Sequence, residues 1–116
     1  MNTGAGRKLG RPTGHRFQML RNMATSLLHH EKIKTTKAKA REVSRLAERL
    51  ITVAKTDSVN TRRRVAKDLN NPAVKAKLFD VIAPRYKERK GGYTQFINIG
   101  PRFSDGAEIG ILKLVS

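Results

Sequence analysis

Arg7, Lys8, Arg11, His15, Arg16 and Arg21 lie within GRKLGRPTGHRFQMLRN, residues 6–22, a stretch without a single acid. Guanidinium and ammonium groups at this density, with no carboxylate to neutralise them, suit one chemistry above others: holding the phosphates of a polyanion. Arg offers a planar fork of donors that matches phosphate geometry. Residues 1–12, MNTGAGRKLGRP, have no hydrophobic period and cannot bury enough apolar surface to order themselves, so they read as a disordered basic N-terminal extension. Laid into a crevice of folded nucleic acid, such an arm is ordered by counterion release and charge-assisted hydrogen bonds. The plainer alternative is a solvated tail. His15 suits a hydrogen bond to phosphate or a role in capping the helix that follows.

Two further cationic groups stand apart from the arm. Arg62, Arg63 and Arg64 sit in the middle of a helical segment, where consecutive side chains point about 100° apart; at most two can face one nucleic-acid surface, and Arg62 and Arg63 are the candidates. Arg85, Lys87, Arg89 and Lys90 lie in RYKERKGG, residues 85–92, a loop with no core role, and loops carry contacts readily. The row Arg41, Arg45 and Arg49 reads as a solvated face with internal pairs to Glu42 and Glu48. Tyr86 and Tyr93 have rings suited to stacking on unpaired bases, although Tyr93 also suits anchoring a hairpin.

Other chemistries find little support. The absence of cysteine removes disulfides and thiolate metal sites. His29 and His30 are adjacent and so diverge on a helix, and no acid except Glu31 has ligand spacing, so no metal and no other cofactor is expected. No phosphate-binding Gly loop and no close carboxylate pair in an apolar segment is present, which points to a non-enzyme without a small-molecule substrate. Zinc-finger spacing and the aromatic strand motif of single-strand RNA binders are missing too, so recognition of shape and phosphates is expected rather than base reading.

The whole chain repeats the message of its first segment. Its 116 residues carry a net charge of +16, and its pI is near 11.2. All of the excess lies in residues 1–90, with 23 Lys or Arg against 7 Asp or Glu, while residues 91–116 hold two of each. Such self-repulsion makes sense if a polyanion discharges it. No apolar run approaches the roughly 20 residues that span a bilayer. The helices lack the aromatic apolar face of a membrane-surface binder, and no secretory signal pattern opens the chain. A cytoplasmic protein with no membrane partner is expected.

The elements that position these cations follow from periodicity. Phe17, Leu20, Ala24, Leu27 and Leu28 form one helical stripe over about 14–30. EKIKTT, residues 31–36, fits a short edge strand. Ala40, Val43, Ala47, Leu50 and Ala54 mark a long helix, Val59, Val65, Ala66 and Leu69 a shorter one, and Val74, Leu78, Val81 and Ile82 a fourth bounded by Pro84. YTQFINIG and AEIGILKLV alternate and pair as a hairpin. Two strands alone are marginal, so helices must cover one face. The expected class is α+β: about four helices packed on a small sheet of two to three strands, one domain over 13–116.

RKLGRPTGHR, LRNMATSLLHHEKIKTTKAKARE, LFDVIAPRY and GGYTQFINIGPRFSDGAEIGILKLV resemble, in this order and spacing, the bacterial large-subunit ribosomal protein seventeen family. The resemblance runs from about Arg7 to Val115. It implies a structural constituent of the large ribosomal subunit that binds large-subunit ribosomal RNA. It also implies a place on the outer surface near the nascent-peptide exit, neighbouring large-subunit proteins as partners, and a third strand at EKIKTT. In the tight turn, where the family has two Arg before Gly-Asp, this chain reads Arg102-Phe103-Ser104-Asp105, so Arg102 alone is carried over as an RNA contact. The competing reading of the charge is a free protein that compacts nucleic acid.

Overall fold

Helix α1 spans Thr13–His30, and the computed structural model describes residues 13–115. The basic arm, with Arg7, Lys8 and Arg11, lies outside the described residues. Ala24, Leu27 and Leu28 of α1 are fully buried, as their spacing demands. Phe17 leaves the expected stripe and stands 42% exposed. The helix ends on Glu31, a residue in the left-handed region at φ 67°, whose N–H donates to the Leu27 carbonyl at 2.6 Å. Glycine usually fills such a position; a glutamate there points to a use for its side chain.

Strand β1 (Lys32–Thr36) follows at once. Thr36 then caps α2 (Lys37–Ala54) by accepting from the Lys39 N–H at 3.4 Å. α2 buries Val43, Ala47 and Ile51 completely and packs against α1 on one side and the sheet on the other. α3 (Val59–Ala66) opens with a reciprocal capping box between Ser58 and Thr61. α4 (Pro72–Lys77) starts at Asn71, whose side chain accepts from the N–H groups of Ala73 and Val74, with Pro72 in the first turn, where its missing N–H costs nothing.

After α4 the chain makes a π-helical turn, Leu78–Ile82, and then runs through Pro84 into the single turn α5 (Ala83–Arg85). The wider turn shifts the helical phase by one residue. Phe79 is therefore buried, whereas Val81, expected on the apolar stripe, is 47% exposed. Val59 is likewise outside the core, since the buried face of the third helix is carried by Val65 and Leu69.

β2 (Thr94–Pro101) and β3 (Glu108–Leu114) complete a three-stranded antiparallel sheet in the order β1-β3-β2. β3 is central, and Leu112 pairs with Ile33 on one side and Phe96 on the other. That row faces the helices, with Leu112 buried and its two neighbours packed against the core. The next row, Lys34–Ile111–Ile97, points the opposite way. A bulge between Asn98 and Gly100 shifts the register beyond it. Among the described residues, helices cover one face of the sheet, giving the α+β two-layer architecture. Glu48 ties the layers together by accepting from Thr94 Oγ1 at 2.8 Å and the Thr94 N–H at 3.2 Å.

Candidate nucleic-acid interface

The tertiary structure sorts the cations into those with a carboxylate partner and those without. Arg16, read from sequence as a contact to RNA phosphate, is 4% exposed and pairs across the α1–α2 contact with Glu42, itself 7% exposed. It is an internal strut because the first turn of α1 lies against α2. Glu42 also pairs with Arg45 at 3.6 Å, so a residue read as part of a solvated face is one of the two buried charges among the described residues.

Four more of the expected contacts are engaged within the protein. Arg21 Nε donates to Asp68 at 3.0 Å. Arg62 grips Asp57 with two hydrogen bonds, 2.7 and 2.9 Å, and its guanidinium covers the Phe79 ring at 4.4 Å. Arg102 closes its own turn on Asp105, at 2.6 and 3.0 Å, and holds that carboxyl at about 2. Arg85 grips Glu31 at 2.6 and 3.1 Å. Each surface pair still presents charge to solvent, but part of its donor set is committed.

The Glu31 clamp explains the strained helix end. Its carboxylate receives Arg85 and, at 3.1 Å, Lys77, which also donates to the His29 carbonyl at 2.7 Å. The Leu114 N–H donates to the Glu31 carbonyl at 3.0 Å, so one residue joins α1, α4, α5 and β3. The Arg85 hydrogen bonds, with help from Lys77, lower the Glu31 carboxyl from 4.5 to about 2. A depressed carboxyl stabilises the fold above its unfolded value and loses that contribution as pH falls from 4.5 towards about 2. Discounted for solvent screening, the clamp contributes about 1 kcal/mol. Arg85→Ala should lower stability by that amount at neutral pH and by almost nothing near pH ~2, in urea titrations followed at both values.

Tyr86 and Tyr93 are buried, with rings 5.3 Å apart, and are unavailable for base stacking. The Tyr86 hydroxyl donates to the Val115 carbonyl, and Lys55 lies 4.7 Å over the Tyr93 ring. They pin the loop 85–92 and the start of β2 onto the helices.

His15, Arg63, Lys87, Arg89 and Lys90 remain exposed with no carboxylate partner among the described residues. Lys87, Arg89 and Lys90 project from one short loop held firmly at its base. The Arg89 carbonyl accepts from Lys55 and, at 3.3 Å, from the Tyr93 hydroxyl, while Arg89 Nε spans the carbonyls of Gly91 and Gly92 at 3.2 Å each. A fixed loop presents charge with less entropy to lose on binding.

A second cationic surface escaped the sequence reading as a site. Lys37, Lys39 and Arg41 at the start of α2 meet Arg102, Asp105 and Glu108 around an open groove of about 690 Å³, where cations outnumber acids, with Lys34 on the adjoining edge. Its signal is the acid-free run KIKTTKAKAR, in which β-alternation aligns Lys32 with Lys34 and the helix then continues the series. The helix N-terminus adds its own partial positive charge.

The family model described as Ribosomal protein L17 matches residues 19–115. The large ribosomal subunit protein bL17 of Trichlorobacter lovleyi is 49% identical over 111 residues, covering 96% of this chain and 90% of that protein. Its counterpart in Clostridium acetobutylicum is 53% identical over 109 residues, covering 94% and 96%. That of Borrelia turicatae is 54% identical over 108 residues, covering 93% and 87%. With half its residues shared over nearly full length, the chain belongs to the ribosomal protein L17 family.

Proposed function

We propose that the protein is a structural constituent of the bacterial large ribosomal subunit, in the cytoplasm, and binds large-subunit ribosomal RNA. It is not an enzyme. The observation that carries the RNA-binding part is the set of cations with no carboxylate partner among the described residues, above all Lys87, Arg89 and Lys90 on their loop and the Lys37, Lys39 and Arg41 surface. An RNA phosphate supplies what the fold withholds. Arg7, Lys8 and Arg11, outside the described residues, carry charge of the same sign, and Arg21, Arg62, Arg85 and Arg102 add field and spare donors. Recognition is of phosphate positions and groove shape.

The family resemblance supports the finer part of the reading: a position on the outer surface near the nascent-peptide exit, among neighbouring large-subunit proteins. Cross-linking to a stalled nascent chain just outside the tunnel tests the position; a protein that cross-links only on the opposite side of the subunit removes it.

Sedimentation of cell extract on a sucrose gradient tests the function. The protein should travel with large subunits at moderate salt and leave only at high salt. With about 6–10 phosphate contacts, affinity for its RNA should fall at least about a thousandfold between 50 and 200 mM salt. A free compacting protein would travel with DNA and be released by DNase. Lys87→Ala combined with Lys90→Ala should leave the thermal unfolding midpoint unchanged and reduce the slope of log affinity against log salt by about 2. An unaltered slope would remove the loop from the interface.

A further inference from the structure

A cleft of about 290 Å³ lies between α1 and α2, beside the Arg16–Glu42 pair. Its floor is apolar: Phe17, Leu20 and Leu46. Phe17 keeps 42% of its surface open although it stands in the first turns of a core-forming helix. Arg45 and Arg49, one turn apart on α2, border the opening. Arg16 also lines the cleft, but it is 4% exposed and its guanidinium is engaged by Glu42.

We infer that this cleft receives one unstacked base of the RNA, its ring against Phe17 and its backbone phosphates between Arg45 and Arg49. The inference rests on the RNA-binding role proposed above and extends it from phosphate contact to capture of a single nucleotide.

Two features select this occupant. A flat aromatic and aliphatic floor suits a base face, because every base has one and stacking on an aromatic ring is tolerant of sequence. Cations one helical turn apart at the mouth match a charged backbone entering and leaving. Arg45 also serves the internal pair with Glu42, so Arg49 is the stronger phosphate clamp of the two. Arg21, which also lines the cleft, is committed to Asp68 at 3.0 Å. A free phosphate or a phosphorylated peptide would leave the apolar floor unused.

Large subunits from cells whose sole copy carries Leu46→Trp, which fills the floor, or Phe17→Ala, which removes the stacking face, are compared with wild type. Protein occupancy is measured after a moderate-salt wash, and base edges are probed with dimethyl sulfate, kethoxal and carbodiimide. The expected result is unchanged occupancy and one unpaired nucleotide, protected in wild type, that becomes at least about fivefold more reactive in both variants. Matching thermal melts of the purified variants establish that both fold, and Phe17→Ala, at an exposed position, keeps the test open if the bulkier change does not. Normal occupancy with no base gaining reactivity overturns the inference and leaves the RNA-binding role standing. Cross-linking of the cleft to the side chain of a neighbouring protein overturns it equally. Wild-type protein missing from gently washed subunits overturns both.

Discussion

Replacing Glu42 by alanine is expected to cost about 3–5 kcal/mol, the usual consequence of leaving one charge of a buried pair alone. Arg16 would then hold its charge beneath α2 with neither the Glu42 carboxylate nor, at Nε, any other described acceptor. Small domains have a net stability of roughly 5–15 kcal/mol, so the variant should be largely unfolded at temperatures where the parent is native. Urea unfolding followed by circular dichroism should show a lower midpoint at unchanged slope. Arg16→Met combined with Glu42→Leu should recover most of the loss, because apolar replacement of both partners removes the desolvation cost together with the attraction. A loss below about 1 kcal/mol for Glu42→Ala would mean that water reaches the pair and that it behaves as a surface bridge.

Gly110→Ala is expected to cost about 3 kcal/mol, at the upper end of the range for overpacking. Gly110 sits in the central strand, paired with Thr35 on one side and Asn98 on the other. A methyl group there would strike the Ile97 carbonyl oxygen and the edge of the Phe96 ring, whose Cε1 atom would be 2.9 Å away. The ring could swing aside; the backbone oxygen belongs to the ladder and cannot. Phe96→Leu in the same chain should therefore restore only part of the stability. Full recovery in the double variant would show that the ring alone was the obstacle. Thermal unfolding of the three variants beside the parent decides between the two. The position also shows how the sheet is built: the phenyl ring folds over a glycine that leaves the surface of β3 open.

Both predictions concern residues whose importance is not written in local sequence pattern. The stripe Leu20, Ala24, Leu27 and Leu28 was legible because a helix writes its period into neighbours three and four positions apart. The hairpin, the third strand at Lys32–Thr36 and the α+β class were legible on the same local grounds, and the net charge announced a polyanionic partner. The phase change that exposes Val81 and buries Phe79 was not, since a π turn follows from packing rather than from the pattern itself.

The fate of each cation was the least legible feature. Arg16, Arg21 and Arg85 find their carboxylates 26, 47 and 54 residues away in the chain. Pairings at such separations leave no mark on local spacing. Lys87, Arg89 and Lys90 are distinguished from them by having no carboxylate partner among the described residues. Sequence by itself determined that this protein carries far more positive charge than it can neutralise and that helices must cover a small sheet. Tertiary structure alone decided which charges hold the fold and which are left for a partner. Coulombic pairing and burial depend on distance in space, and for an arginine on a helix face that distance is set by whichever distant segment packs against it.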